Sequence, residues 1–165
     1  MKPGQFIEDD FEVPETLETE SFRLRMLTVH DLVKDYDAVM SSVDELVNVW
    51  PGSGWPVGLT LEEDLIDLGW HQREFMFRRS FAYTVVSLDE SRTLGCVYIN
   101  PTWKRGYDAQ VFLWAREAKM GTGLDATLYE TVKLWLKEAW PFTNPALPGR
   151  DIDWDTWNAI PDEKR

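Results

Sequence analysis

The chain has 165 residues, 44% of them hydrophobic, which is enough to enclose the core of one ordinary domain. Twenty-nine acidic residues against seventeen basic ones give a net charge of −12, so a nucleic-acid partner is disfavoured and a cationic guest such as an amine is favoured. The single cysteine, Cys96, excludes an intramolecular disulfide and a cysteine-cluster zinc site, and we expect no metal. There is no apolar signal core and no run of about 18 apolar residues, so we expect a cytoplasmic protein without a membrane partner.

The first twenty residues are predicted to form an acidic arm. Seven of the thirteen residues from 8 to 20 are Asp or Glu, and Pro14 interrupts them. Such a composition is typical of a solvated segment with little structure of its own.

A strand and a helix follow the arm. F-R-L-R-M-L at 22–27 alternates apolar and basic residues, as a half-exposed strand does. Thr28 with an acid three residues later predicts a capping box, and Leu32, Tyr36 and Val39 recur at helical spacing.

The next segment is rich in tryptophan. W-P-G-S-G-W-P-V-G at 50–58 is a loop, after which Thr60 and Glu63 predict a second capping box and a helix to about Arg73. Trp50 and Trp55 on this loop either line a pocket for an apolar or cationic group or seal the edge of the core.

Three predicted strands lie between this helix and a glycine-containing turn. F-A-Y-T-V-V-S-L at 81–88 and T-L-G-C-V-Y-I-N at 93–100 flank a hairpin turn, D-E-S-R, and Y-D-A-Q-V-F-L-W-A at 107–115 is the third strand. The apolar surroundings of Cys96 indicate a buried side chain rather than a nucleophile.

The turn R-E-A-K-M-G-T-G at 116–123 leads into a helical run at 124–138. Gly121 and Gly123 permit backbone conformations that a side chain disfavours, and the first amides of the helix attract an anion. A phosphate or pyrophosphate fits there, and Arg116 and Lys119 add positive charge. The alternative is that the glycines only close a tight turn. G-T-G-L-D-A also matches a dinucleotide fingerprint, but too little chain follows to build that fold.

The last segment, 141–165, is predicted to be irregular. Pro141, Pro145 and Pro148 disfavour a regular element, although one irregular strand is compatible with them. A cleft beside the glycine turn is therefore incomplete in the monomer, completed by a partner chain in a homodimer, or filled by Trp154 and Trp157.

The order strand, two helices, three strands, glycine turn and helix over residues 20–138 resembles the GNAT superfamily of acyl-CoA-dependent N-acyltransferases. T-E-S-F-R-L-R-M-L-T-V-H-D is similar to the usual opening of that family, and G-T-G to the small residues of its Q/R-x-x-G-x-G/A turn. The first position of that motif is Ala118 here. The resemblance implies a single α+β domain over 1–165, with a mixed, mainly antiparallel sheet flanked by helices and a truncated or irregular C-terminal part.

The resemblance also implies a binding site for acetyl-CoA or another acyl-CoA. It assigns the pantetheine arm to backbone groups of three consecutive strand residues, namely Phe112, Leu113 and Trp114. It assigns the pyrophosphate to the amides of the turn and helix start, namely Met120, Gly121, Thr122, Gly123 and Leu124. An amine then attacks the thioester directly, which requires positioning, a base and oxyanion stabilisation.

Candidates for the catalytic groups are less specific. Asp108 at the start of the third strand is the acidic candidate for the base, and Tyr98 on the neighbouring strand is a candidate to orient substrate or relay a proton. The alternative for Asp108 is a solvated acid at a strand end, and the alternative for Tyr98 is a half-buried tyrosine, neither with a catalytic role. The general-acid tyrosine common in the family has no match.

Two functions remain open from the sequence. One is an N-acyltransferase acting on an amine of a small molecule or protein. The other is a catalytically degenerate domain that binds an acyl-CoA or a protein partner without turnover, which Ala118 and the shortened C-terminal part favour.

Overall fold

The computed structural model describes residues 6–116 and 122–163. Its centre is a six-stranded sheet made of β1 (Thr16–Glu18), β2 (Arg23–Met26), β3 (Phe81–Val86), β4 (Thr93–Asn100), β5 (Ala109–Ala115) and β6 (Pro145–Ala146). The strands are adjacent in chain order. Each pairs antiparallel with the next, except that β5 and β6 run parallel. The predicted mixed, mainly antiparallel sheet is confirmed.

Helices cover both faces of this sheet. In the described ranges they are α1 (Leu32–Met40), α2 (Val43–Leu46), α3 (Leu61–Met76), α4 (Leu124–Ala139) and α5 (Trp154–Ala159). Both predicted capping boxes are present, at Thr28, which precedes a short 3-10 turn into α1, and at Thr60 before α3. None of these helices combines the length and apolar character needed to cross a membrane.

The alternation of side chains along β5 divides the core in two. Val111 and Leu113 pack with the apolar stripe of α4 on one face of the sheet. Phe112 and Trp114 pack on the other face with buried residues of α1, α3 and β4. Because successive strand side chains point to opposite faces, β5 contributes to both cores.

The N-terminal segment packs against the core, so the prediction of a solvated arm is wrong. Ile7 is 3% exposed, and the hydroxyl of Tyr83 donates to the carbonyl of Pro14 at 2.6 Å. Residues 16–18 pair with β2 as the edge strand β1. Apolar side chains interspersed among the acids, such as Phe11, pack against the core, and their burial outweighs the low local propensity for structure.

The C-terminal segment contains more structure than its prolines suggest. The predicted irregular strand is β6, where Pro145 is tolerated because it lies on an edge strand. The helix α5 was not predicted. Its N-cap is Asp153, whose carboxylate accepts from the backbone N–H of Thr156 at 2.8 Å.

Two carboxyl groups are buried between α1, α3 and β4. Asp35 is 4% exposed and Asp64 is 2% exposed, and Oδ2 of Asp64 has no hydrogen-bond partner among the described residues. Burial and the neighbouring Asp67 raise the pKa of Asp64 to about 6, and burial together with Asp64 raises the pKa of Asp35 well above its usual value. Both carboxyl groups are therefore held in the neutral form to a higher pH than in an unfolded chain.

The raised pKa of Asp64 predicts a pH dependence of stability. Between pH about 4 and the folded pKa of about 6, the folded chain binds more protons than the unfolded chain, so the free energy of unfolding falls as pH rises. We expect Asp64→Asn to remove the contribution of Asp64 to this fall, leaving that of Asp35, and to stabilise the fold by about 2 kcal/mol at pH 7. Urea unfolding of both proteins from pH 4 to pH 7 measures the difference.

Asp44→Asn is the matched control, because Asp44 is exposed on α2. It should follow the wild-type pH profile. Asp64→Asn profiles that also follow the wild type would contradict the burial of this carboxyl group.

Candidate functional site

A cavity of about 740 Å³ lies where β5 and β6 separate. The two strands pair at Ala109 and Gln110, after which β6 ends and the chain turns away. The cavity walls are β5 from Val111 to Ala115, the start of α4, the α2 region with Glu45 and Val49, a C-terminal loop with Gly149 and Arg150, and Trp154 at the start of α5.

The free edge of β5 provides hydrogen-bonding groups to this cavity. The register pairs Trp114 with Cys96, and the carbonyl of Trp114 points at Gly95 of β4. Since backbone groups alternate between the two sides of an antiparallel strand, those of Val111, Leu113 and Ala115 point away from β4. The expectation for Leu113 agrees with this geometry. The backbone groups of Phe112 and Trp114 instead pair with β4, although both residues line the cavity.

The N-terminus of α4 forms one end of the cavity. Gly123 is its N-cap, with φ of 80°, and therefore supplies no side-chain cap to the first amides of the helix. Gly123, Asp125 and Ala126 line the cavity. A helix start without a capping side chain, exposed to a cavity, has the geometry that favours an anion.

Several predicted phosphate ligands lie outside the described residues, namely Lys119, Met120 and Gly121. Thr122 is exposed and Leu124 is half-buried at the start of α4. Neither lines the cavity, unlike Gly123 between them.

Arg116 binds residues outside the cavity. It is 4% exposed, and its guanidinium contacts Asp37 of the α1 helix at 2.7 Å and donates to the carbonyl of Thr93. It does not line the cavity. This pair of buried Arg116 with exposed Asp37 ties the end of β5 to α1, which directs the Arg116 side chain to α1 rather than to the cavity.

Asp108 and Tyr98 also lie away from the cavity walls. The Asp108 carboxylate accepts from the backbone N–H and hydroxyl of Thr143 and from the backbone N–H of Asn144, directly before β6. Tyr98 is 7% exposed, its hydroxyl accepts from the indole N–H of Trp114 at 3.1 Å, and burial raises its pKa well above the usual value. Tyr98 is therefore protonated at neutral pH, and Asp108 stabilises the start of β6.

Aromatic rings cluster around Phe112 of β5. Phe112 and Trp154 line the cavity, whereas Trp50, Trp55 and Tyr98 do not. The Trp50 ring lies 5.2 Å from those of Trp55 and Tyr98 and 5.5 Å from that of Phe112. Trp154 stacks on Phe112 with an interplanar angle of 6°. The predicted pair Trp50 and Trp55 is thus brought together beside β5.

The two C-terminal tryptophans differ in their relation to the cleft. Trp154 lines the cavity without filling it. Trp157 is 3% exposed and packs against Tyr107, so it belongs to the core.

Arg150 is a cavity residue that sequence reasoning missed. Both of its terminal nitrogens contact the Asp125 carboxylate at 2.8 Å, and one also donates to the Leu113 carbonyl at 3.2 Å. Such a partly exposed pair contributes about 0.2–1 kcal/mol. No periodicity or motif marks Arg150, because it lies in a proline-rich loop.

A search of residues 6–116 and 122–163 for clusters of His, Cys, Asp and Glu finds no group suited to a metal ion. The described residues that line the cavity supply a strand edge, a helix start, one arginine, two carboxylates and aromatic side chains.

Solved structures of acetyltransferases share this architecture. The chain is similar to ribosomal-protein-S5-alanine acetyltransferase from Vibrio fischeri, with 17% identity, a TM-score of 0.60, and coverage of 78% of this chain and 69% of that one. It is similar to RimL, a ribosomal L7/L12 alpha-N-protein acetyltransferase in complex with coenzyme A, with 15% identity, a TM-score of 0.58 and coverages of 73% and 67%. A third similar structure is microcin C7 self immunity acetyltransferase MccE with acetyl-CoA and AMP, at 9% identity, TM-score 0.57 and coverages of 74% and 67%.

No protein-family model and no curated protein matches the chain by sequence. At 9 to 17% identity, the structural similarities bear on the fold alone. The chain has the GNAT fold.

Proposed function

We propose that this chain is an N-acyltransferase that moves an acetyl or other acyl group from acyl-CoA to an amine of a small molecule or protein. The observation that carries the proposal is the free edge of β5, which runs along a 740 Å³ cavity to the uncapped start of α4. The edge suits an extended chain with amide groups, and the helix start suits a diphosphate. Pantetheine followed by pyrophosphate has this order of groups.

In this proposal the pantetheine amides pair with backbone groups of Leu113 and its outward-facing neighbours on β5. The pyrophosphate binds at the amides that follow Gly123. CoA and acetyl-CoA in the similar structures support this choice of co-substrate.

The proposed acceptor site is the aromatic cluster around Phe112. Phe112 and Trp154 line the cavity, the Trp50 ring packs on Phe112 and the Trp55 ring packs on Trp50, and aromatic rings attract cationic groups. A net charge of −12 further favours an amine over an anionic acceptor.

The reaction requires one proton acceptor. The amine nitrogen attacks the thioester carbonyl carbon, the new C–N bond forms, the C–S bond breaks, and CoA leaves as its thiolate. The proton lost by the amine passes to a base, and the thiolate is protonated from solvent. Among the described residues that line the cavity the carboxylates are Glu45 and Asp125, and Asp125 is paired with Arg150. Glu45 is therefore our first candidate for the base, ahead of Asp108.

Calorimetric titration with CoA and acetyl-CoA tests the cofactor site. We expect saturable binding that Gly123→Asp weakens at least about tenfold, because the new carboxylate competes with the phosphates at the helix start. Gly106→Asp is the matched control. Gly106 has φ of 84°, its added Cβ meets no atom within 4 Å, as at Gly123, and it does not line the cavity.

Equal weakening by the two substitutions would attribute the loss to backbone strain and contradict the proposed phosphate site. Absence of saturable binding by the wild type at millimolar ligand would refute both the transferase and a non-catalytic acyl-CoA-binding domain.

Release of CoA thiol with an amine panel tests turnover. We expect Glu45→Gln to lower kcat by about 100-fold with unchanged affinity for CoA, which is the usual effect of losing a general base. We expect Asp108→Asn to lower the melting temperature, because its carboxylate accepts hydrogen bonds that position β6, and to leave kcat per folded molecule largely unchanged. A selective loss of kcat in Asp108→Asn alone would instead identify Asp108 as the base.

A further inference from the structure

The described residues that line the cavity present little positive charge for an anionic cofactor, since Arg150 alone among them is cationic. Arg116, at the start of the glycine turn, is buried and paired with Asp37, and Lys119 lies outside the described residues. A phosphate at the start of α4 therefore has Arg150 as its nearest described cationic partner in the cavity.

Arg150 already holds an anion at this helix start. The Asp125 carboxylate lies in the first turn of α4 and accepts from both terminal nitrogens of Arg150, each at 2.8 Å. This fork geometry is the one by which guanidinium also binds phosphate oxygens. The carboxylate of Asp125 thus occupies the position and the charge role that a phosphate would take.

The same guanidinium covers the edge of β5. One terminal nitrogen donates to the Leu113 carbonyl at 3.2 Å. The β5–β4 register directs that carbonyl away from β4, so it is an acceptor that a pantetheine amide would need. Arg150 therefore engages both parts of the proposed cofactor site, the strand edge and the helix start.

The Arg150 and Asp125 side chains are both partly exposed, as expected of an ion pair that can exchange partners. The side chain of Arg150 is 26% exposed and that of Asp125 is 49% exposed. Partly hydrated ion pairs separate at little cost, whereas a diphosphate offers more charge and more acceptor oxygens than one carboxylate. Exchange of Asp125 for phosphate is accordingly favourable.

We infer that Arg150 is the phosphate ligand of this site and that Asp125 holds it as an internal anion until a phosphate-bearing thioester binds. Binding then transfers the guanidinium from the Asp125 carboxylate to phosphate oxygens and releases the Leu113 carbonyl to the pantetheine. This inference rests on the proposed acyl-CoA function. In it, Arg150 supplies the positive charge that Ala118, at the first position of the turn motif, does not have.

Titration of the full chain with three ligands, CoA, dephospho-CoA and pantetheine, tests the inference. We expect Arg150→Ala to weaken CoA binding at least tenfold, which corresponds to about 1.4 kcal/mol, and to leave pantetheine affinity unchanged or higher. Arg150→Lys should give a CoA affinity between those of the wild type and Arg150→Ala, because lysine keeps the positive charge but loses the bidentate geometry of the guanidinium. An equal loss for dephospho-CoA assigns Arg150 to the pyrophosphate, and a loss for CoA only assigns it to the 3′-phosphate.

A double-mutant cycle isolates the role of Asp125. We expect Asp125→Asn to strengthen CoA binding about threefold in the wild type and to have no effect in Arg150→Ala, because the competing contact is then absent. Simple repulsion between Asp125 and the phosphates would give the same gain in both backgrounds. That result would overturn the role of Asp125 as a held anion.

Arg105→Ala is the control for removal of an arginine, because Arg105 is 64% exposed in a pair with Glu163 and does not line the cavity. CoA binding by Arg150→Ala within twofold of the wild type, or equal losses for CoA and pantetheine, would overturn the inference and leave the proposed function standing. A wild type that binds no CoA would overturn both. If the melting curve shows that Arg150→Ala does not fold, the CoA and pantetheine affinities of Arg150→Lys and Asp125→Asn are compared with those of the wild type instead.

Discussion

The point at which β5 and β6 stop pairing is the constraint on which the candidate site depends. Their parallel hydrogen bonding covers Ala109 and Gln110, and the chain then turns through a loop in which the Asp151 carboxylate accepts from the N–H of Leu147. The rest of β5 is left with one edge free of a strand. An unpaired strand edge is a template for another extended chain, so the cavity beside it is suited to a ligand with amide groups.

Contacts outside the cavity fix this geometry. Asp108 holds residues 143 and 144 directly before β6, and the pair of buried Arg116 with exposed Asp37 holds the end of β5 to the first helix. These charged residues resemble site residues in the sequence because they flank the strand that forms the cavity wall. Their hydrogen bonds assign them to positioning the strands.

The distribution of charge in the chain is compatible with the proposed anionic ligand, although the protein as a whole is acidic. The buried Asp35 and Asp64 lie on the α1 and α3 face, where burial keeps their carboxyl groups neutral to a higher pH than usual. The cavity mouth has the positive end of α4 and the guanidinium of Arg150. In the proposed site, the helix start and Arg150 would attract a phosphate despite the net charge of −12.

Local patterns in the sequence were sufficient to predict most of the regular elements. Alternation identified β2, apolar strand-like runs identified β3 through β5, helical periodicity identified α1, α3 and α4, and Thr28 and Thr60 marked two helix starts through hydrogen bonds within three residues. Gly123 at the start of α4 was also readable, because a glycine turn before a helical run is a local signal. The packed N-terminal segment and α5 were not predicted, since apolar contacts across the chain and a weak local pattern determine them.

Only the tertiary structure decided which side chains share the site. Arg116 lies beside the turn in sequence but binds Asp37, 79 residues away, whereas Arg150 reaches Asp125 and Leu113 across 25 and 37 residues. The register of β5 against β4, not the strand pattern, selected Leu113 over Phe112 and Trp114 as a residue whose backbone groups point away from β4. The sequence by itself determined the elements, because hydrogen bonds and periodicity within a segment are local. Charge partners and strand register depend on how segments meet in space, and no local pattern encodes that.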